Sequence, residues 1–376
     1  MAVPRALRLL VRARCVASLG LACSESPSTP ATSVPTGQAG KASGGNAAAG
    51  NASSSSGSGG MPSSAGTSAS AGGNASGSGG VSAGDAGTSS GGPAAGASAG
   101  GGVPVVFEGG AVAAVSLTYD DGLDPHLATV QPALEAAGLR GTFYLSNFEG
   151  VDHDWALPSV KEPLLPLKPR HLAWMAAGAK GHELADHTVN HPCNAAAKAP
   201  GFHLTDYDMA RMQKELDESI ARLARLGVTQ PISFAYPCGS DKAGLGPPPT
   251  QDYSPLVAER FFAARVSVTG IADPTTVDLL HVPQLDTGGK TGDELKKMVD
   301  DAIAAKGWLV LLFHGVGTEA TCSGSLNYAP TTCMINYLTT STEAHAALVQ
   351  YLADKKAQVW TAPFKQVATL IQIARK

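Results

Sequence analysis

What most constrains this chain is an alternation that begins at Val112. Short, uninterrupted apolar runs take turns with longer stretches of helical periodicity. The runs "AAVSLTYDD", "GTFYLS", "HELADHT", "ISFAYP", "FFAARVSV", "LLHVPQL", "WLVLLFH" and "VWTAP" read as strands. Between and after them, "HLATVQPALEAAG", "PRHLAWMAAGAKG", "TDYDMARMQKELDESIARLARLG", "GDELKKMVDDAIAAKG", "TEAHAALVQYLADKKA" and a closing segment from Phe364 read as helices. In the longest of these, Thr205 is the expected N-cap and Gly227 the expected stop. A strand apolar on both faces must be covered on both, and a helical connection returns the chain parallel to its start. About seven such units predict an α/β fold whose parallel sheet closes into a barrel.

Residues 24–103 cannot join that core. They are almost entirely Gly, Ala, Ser, Thr, Pro and Asn, as in "GNASSSSGSGG", with no side chains large enough to offset the entropy of ordering. They read as a disordered tether of ~80 residues with a root-mean-square span of ~50 Å. Ahead of it, residues 1–23 place Arg5, Arg8, Arg12 and Arg14 before a short apolar run, the form of an export signal. Cys23 follows "GLA" and resembles the modified cysteine of a bacterial lipoprotein signal, which would make it the only point of membrane attachment; cleavage without lipid is the alternative. A chain of this kind is expected outside the cytoplasm, in the cell envelope or secreted. The net charge of −4 carries no basic face for nucleic acid.

In a parallel barrel the polar groups at the strand C-termini share one mouth. Asp120 and Asp121 end the first strand, His187 the third, "YPCG" the next, and His314 ends "WLVLLFH". Adjacent carboxylates raise each other's pKa unless a cation or proton is shared, although an Asp-Gly turn explains the stretch equally well by itself. His187 and His191, four apart, can converge on one ion, and with a carboxylate from a neighbouring strand end they form a set that leaves a position open for water.

The stretches "TYDDG" (118–122), "HTVNH" (187–191), "YPCG" (236–239) and "LLFH" (311–314) resemble, in order and spacing, the motifs of the polysaccharide deacetylase family, carbohydrate esterase family 4 or NodB-homology domain. The resemblance spans 104–376 and implies a distorted (β/α) barrel that removes acetyl groups from an N- or O-acetylated glycan. It further implies that Asp121, His187 and His191 hold a divalent metal, with Asp120 as general base and His314 as general acid. The backbone N–H of Cys238 becomes the oxyanion donor. Zinc suits a two-His, one-carboxylate set, while cobalt, nickel or iron also fit. Successive strand residues point to opposite sides, so different jobs for Asp120 and Asp121 are expected.

Two departures qualify the resemblance. Ala235 stands where the family's third motif carries an Arg that orients the base, and the Asp-and-Trp motif has no counterpart, so Asp286 is the substitute expected to orient His314. These gaps keep two other readings open: a metal amidase for a small non-carbohydrate amide, and a non-catalytic glycan-binding module. Among the remaining residues, His182 reads as a hydrogen-bonded core position, His126 as a helix cap or surface residue, Trp174 and Trp308 as buried, and Trp155, Tyr328 and Tyr337 as groove or loop residues. Four cysteines outside the leader allow three pairings. Cys322 with Cys333 is the natural one, Cys193 with Cys238 lies at the mouth, and a thiolate zinc site is the runner-up to a bridge.

Overall fold

In the computed structural model, which describes residues 105–147, 155–161, 165–194, 199–317 and 338–376, strand β1 (Ala113–Asp120) is buried from end to end. It is followed in chain order by β2 (Thr142–Leu145), β3 (Glu183–Asp186), β4 (Ser233–Ala235), β5 (Lys242–Ala243), β6 (Gln251–Asp252), β7 (Ala263–Thr269), β8 (Val282–Asp286), β9 (Trp308–Phe313), β10 (Gly315–Gly317), β11 (Thr339–Ser341) and β12 (Val359–Thr361). The main sheet runs β12-β1-β2-β3-β4-β7-β8-β9, and β9 pairs back onto β1. That closure makes a parallel barrel of β1, β2, β3, β4, β7, β8 and β9, as the alternating pattern predicts. The barrel is irregular at β1 and again where β7 and β8 shift register between Arg265 and Thr269. The first half of β1, Ala113–Val115, pairs with β12, and its last three residues, Thr118–Asp120, pair with β2. The other edge of β1 runs along β9 from Ala114 to Tyr119.

Alternation along β1 separates two environments. Val115, Leu117 and Tyr119 pack outward in one apolar cluster with Leu134, Leu295 and Leu348 from the covering helices, all fully buried. Burying each such leucine is worth roughly 1.5–3 kcal/mol. Ser116, Thr118 and Asp120 take the opposite face, where the Trp308 Nε1–H donates to Ser116 Oγ at 3.0 Å. Asp120 is thus carried to the inner face at the barrel mouth by parity alone.

The helices are α1 (Gln131–Ala136), α2 (Pro169–Ala179), α3 (Met209–Arg225), α4 (Ser254–Ala258), α5 (Gly292–Ala305), α6 (Thr342–Asp354) and α7 (Phe364–Ala374). The start of α3 corrects the sequence reading: Asp208, not Thr205, is the N-cap, accepting from Arg211 N–H at 2.7 Å. Thr205 instead lies in a short 3-10 turn, Leu204–Asp206. An ionised cap close to the helix start satisfies the first free amides and favours the positive end of the dipole. Gly227 does end the helix, in the left-handed region at φ 82°. The leader with Cys23, the tether to residue 103, and Cys322, Cys333, Tyr328 and Tyr337 lie outside the described residues. Among the described residues no helix is long and apolar enough to cross a membrane.

Candidate metal centre and catalytic cleft

The strand ends meet in a cleft of about 330 Å³ lined by Asp120, His187, His191, Cys238, Arg265 and His314, among others. Beneath it the chain turns sharply at or next to each candidate ligand. Asp121 sits at φ 79° as β1 ends, and Thr188 and His191 at φ 63° and 51° in the loop after β3. Non-glycine residues seldom adopt this region, and such positions persist where surrounding contacts enforce them. Here those contacts are identifiable. Thr188 N–H donates to Asp186 Oδ1 at 2.8 Å, and His191 N–H to Thr188 Oγ1 at 2.9 Å. From α3, Glu215 accepts from Asn190 N–H and Nδ2 at 2.5 and 2.8 Å, and the Ser219 hydroxyl donates to Asp186 at 2.6 Å.

That bracing brings one ligand atom each from Asp121, His187 and His191 within 4.8 Å of one another. His187 Nε2 and His191 Nε2 each lie 3.8 Å from Asp121 Oδ1. Tetrahedral zinc with bonds of about 2.0–2.1 Å separates its ligands by about 3.4 Å, so small movements complete the set. His187 Nδ1–H donates to the Ala235 carbonyl at 2.7 Å, which directs the Nε2 lone pair toward Asp121. Burial, the largest influence, pushes the His187 imidazole down to about 4. It is neutral near pH 7, the form that ligates metal, and its 3.5 Å approach to Asp120 Oδ2 is not an ion pair there. Two imidazoles and a carboxylate on one point are a donor set that fits a divalent cation.

Asp120 has a different partner. Burial favours its protonated form, but the positive Arg265, with His187 and His314, outweighs that and lowers its pKa overall. The Arg265 guanidinium donates to Asp120 Oδ1 and to Gln284 Oε1, with all three side chains buried. The arginine missing at position 235 is therefore present. In the parallel pairing of β4 with β7, Ala235 and Arg265 are direct register partners, so the same place beside Asp120 is reached from the next strand. The sequence carried a signal for it: an Arg in the midst of the apolar run "FFAARVSV".

The acid side is more sparsely held. His314 lines the cleft, and its Nδ1 is buried with no hydrogen-bond partner among the described residues. Asp286 lines the same cleft but is exposed and accepts from Gly288 N–H at 2.9 Å, so it does not orient His314 through a hydrogen bond. Burial lowers the His314 pKa, with Asp120 and Asp286 opposing through their charge. His126 keeps the cap reading and corrects the surface one. It is fully buried, accepts from Leu123 N–H at Nδ1 (3.2 Å), and lies 2.7 Å through Nε2 from the His314 carbonyl. Since Nδ1 accepts, Nε2–H donates, and the backbone of His314 is pinned to the loop after β1. His182 is a core residue as expected, accepting from Gly141 N–H at 3.1 Å, and Trp174 and Trp308 are fully buried. Trp155 is half-buried, with the Arg170 guanidinium 3.3 Å over its ring.

Cys193 and Cys238 form a disulfide, with Cα atoms 5.8 Å apart. Bridged sulfurs have no thiolate to offer, which removes the thiolate zinc reading for this pair. Cys238 lies in the turn after β4 at φ 50°, and its N–H makes no hydrogen bond among the described residues.

A family comparison agrees with this arrangement. The family model described as polysaccharide deacetylase matches residues 110–245. No curated protein matches the chain. Solved structures similar to it include a family 4 carbohydrate esterase from Streptomyces lividans in complex with acetate (18% identity over 66% of this chain and 91% of that one, TM-score 0.38). The chitin deacetylase of the fungal pathogen Colletotrichum lindemuthianum is 15% identical over 67% of this chain and 86% of its own, TM-score 0.40. Peptidoglycan deacetylase PdaC from Bacillus subtilis is 13% identical over 69% and 92%, TM-score 0.37. The matched stretch, residues 110–245, carries Asp120, Asp121, His187, His191 and Cys238.

Proposed function

We propose that this chain is a metal-dependent hydrolase that removes acetyl groups from an N- or O-acetylated carbohydrate. The observation that carries the reading is the convergence of Asp121, His187 and His191 beside an Asp120 paired with buried Arg265 in one open cleft. Asp121, His187 and His191 would hold the cation, for which zinc is the best match to the donor set. Bound there, it supplies Lewis-acid polarisation of the acetyl carbonyl and a more acidic water.

The chain's own groups do the rest. Asp120, kept ionised by Arg265, takes the proton from the attacking water. The Cys238 N–H, which makes no other bond among the described residues, receives the charge that develops on the carbonyl oxygen. His314 gives a proton to the departing amine or alcohol. Arg265 directs one arm at Asp120 Oδ1, which leaves Oδ2 on the His187 side of the cleft, where the proton is to be accepted. The supply of this arginine from β7 removes one of the two departures that kept the small-amide alternative open, and the intact ligand set disfavours a purely binding module.

Purified protein should release acetate from acetylated chitooligosaccharides or acetylated xylan, lose that activity with a chelator, and regain it with zinc. Turnover that persists after complete metal removal overturns the mechanism; no acetate from any acetylated glycan overturns the substrate class. We also propose export, with Cys23 as the lipid anchor. Fractionation of cells together with the mass of the mature N-terminus tests both, and an unmodified chain starting at Met1 in the cytoplasm refutes them.

A further inference from the structure

We propose that the Cys193–Cys238 disulfide is a positioning element of the catalytic centre, coupling the loop that carries His191 to the turn that presents the Cys238 N–H. This inference rests on the deacetylase reading for its kinetic consequence, but its structural half stands apart from it. Cys193 is two residues beyond His191 and is buried, with its N–H donating to Phe202 O at 3.2 Å. Cys238 is three residues beyond Ala235, whose carbonyl already accepts from His187 Nδ1–H at 2.7 Å. The ligand loop and the β4 exit are therefore fastened at two points, one a hydrogen bond and one covalent.

The covalent point falls where the backbone most needs it. Cys238 holds φ 50° and the following Gly239 φ 64°, and a Cβ on Gly239 would collide with Ser267 of β7. The turn thus has to lie flat against β7, with its left-handed pair facing the cleft. Glycine takes such a conformation freely, whereas a residue with a Cβ is disfavoured there by about 5- to 30-fold in population. Cys238 has that Cβ, and the bridge to the buried Cys193 supplies the constraint. Once the bridge opens, the turn can relax, the N–H can leave the cleft, and the His191 loop loses one of its two links to the β4 exit.

The test uses the full chain. Tris(2-carboxyethyl)phosphine, which carries no thiol to compete for zinc, reduces the bridge: the S–S bond takes up two electrons and two protons to give two thiols, and the phosphine takes the oxygen of a water molecule to become its phosphine oxide. Thiol titration confirms opening. Reduced wild type and Cys193→Ser should bind zinc about 10-fold more weakly in chelator competition, and at saturating zinc should lose about 10-fold in kcat with little change in KM. In the double variant Cys193→Ser/Cys238→Gly, kcat should recover most of that loss, because glycine restores the left-handed turn and keeps the N–H. Zinc affinity should stay weak, because the ligand loop remains unfastened. Reduced wild type with the oxidised protein's zinc affinity and kcat overturns the proposal. Failure of the glycine variant to recover kcat overturns the backbone half of it. If oxidised wild type turns over no acetylated glycan, the deacetylase reading falls, and the zinc-affinity comparison still decides whether the bridge positions the ligand loop. A cysteine variant that does not fold leaves the reductant experiment on wild type to decide.

Discussion

The two sides of the cleft are built differently. On the candidate ligand side, the loop with His187 and His191 is tied down at several points: Thr188 to Asp186, His191 to Thr188, Asn190 to Glu215, His187 to the Ala235 carbonyl, and Cys193 to Cys238, while Asp121 N–H donates to the Tyr144 carbonyl at 2.9 Å. On the His314 side, among the described residues, His314 is held through its backbone, by His126, and its ring Nδ1 has no partner. A cation needs its ligands within a few tenths of an ångström, so the side that binds it must be over-determined. A proton donor must face a leaving group that differs from one substrate to the next, and a less constrained ring tolerates that.

The contrast can be probed from the ligand side first. Asp121→Ala leaves two imidazoles for the ion. It should lower metal content and drop activity below that of any variant that keeps the metal, as measured by elemental analysis and acetate release. Asp120→Asn preserves shape and should retain the metal while reducing kcat by roughly 10²–10⁴. If Asp120→Asn loses the metal and Asp121→Asn keeps it, the two roles are reversed.

His314→Ala tests the loosely held side. It should also keep the metal, with a loss approaching that of Asp120→Asn on amides and a clearly smaller one on esters with good leaving groups, since an amine needs its proton more than such an alcohol does. Equal losses on both would place His314 outside the proton transfer.

Arg265→Ala should cost about 10²-fold in kcat/KM, comparable to removal of one well-aimed charged donor. The sign of the pH effect follows from its partner. Arg265 holds the Asp120 pKa down, so without it the base protonates at higher pH, and the acid limb of the kcat/KM profile moves upward. Adding Ala235→Arg in that background should recover part of the loss, because 235 and 265 are register partners beside the same carboxylate. No shift in the acid limb would mean that Arg265 is only filling space. The smallest effect is expected at Glu215→Gln, which keeps the shape but weakens the acceptor for Asn190. Zinc affinity should fall about 10-fold with kcat at saturating metal preserved, and an unaltered affinity would show that α3 does not brace the ligand loop.

Much of the site is legible in the amino-acid sequence because its motifs are local. Two adjacent carboxylates at a strand end, two histidines four apart and a histidine closing an apolar strand are each contained in a few residues, and the parallel-barrel rule alone brings those ends together. The alternation of apolar runs and helical stretches likewise specifies the barrel, since both signals have a fixed period along the chain. The features that the sequence leaves hidden all depend on which segments become neighbours. Arg265 replaces the arginine absent at Ala235 only because β7 lies beside β4 in a particular register. His126 reads as a helix cap because local sequence places it at a helix start, yet its imidazole is engaged by a carbonyl at position 314. Asp208 takes the place of Thr205 as a cap through a shift of three residues that composition does not distinguish. Fold class and the chemical identity of the ligands are thus written in the order of residues. Which arginine pairs with Asp120, which cysteines meet and what holds the histidines in place follow from tertiary packing alone, because hydrogen bonds and disulfides act over ångströms of space whatever the separation along the chain.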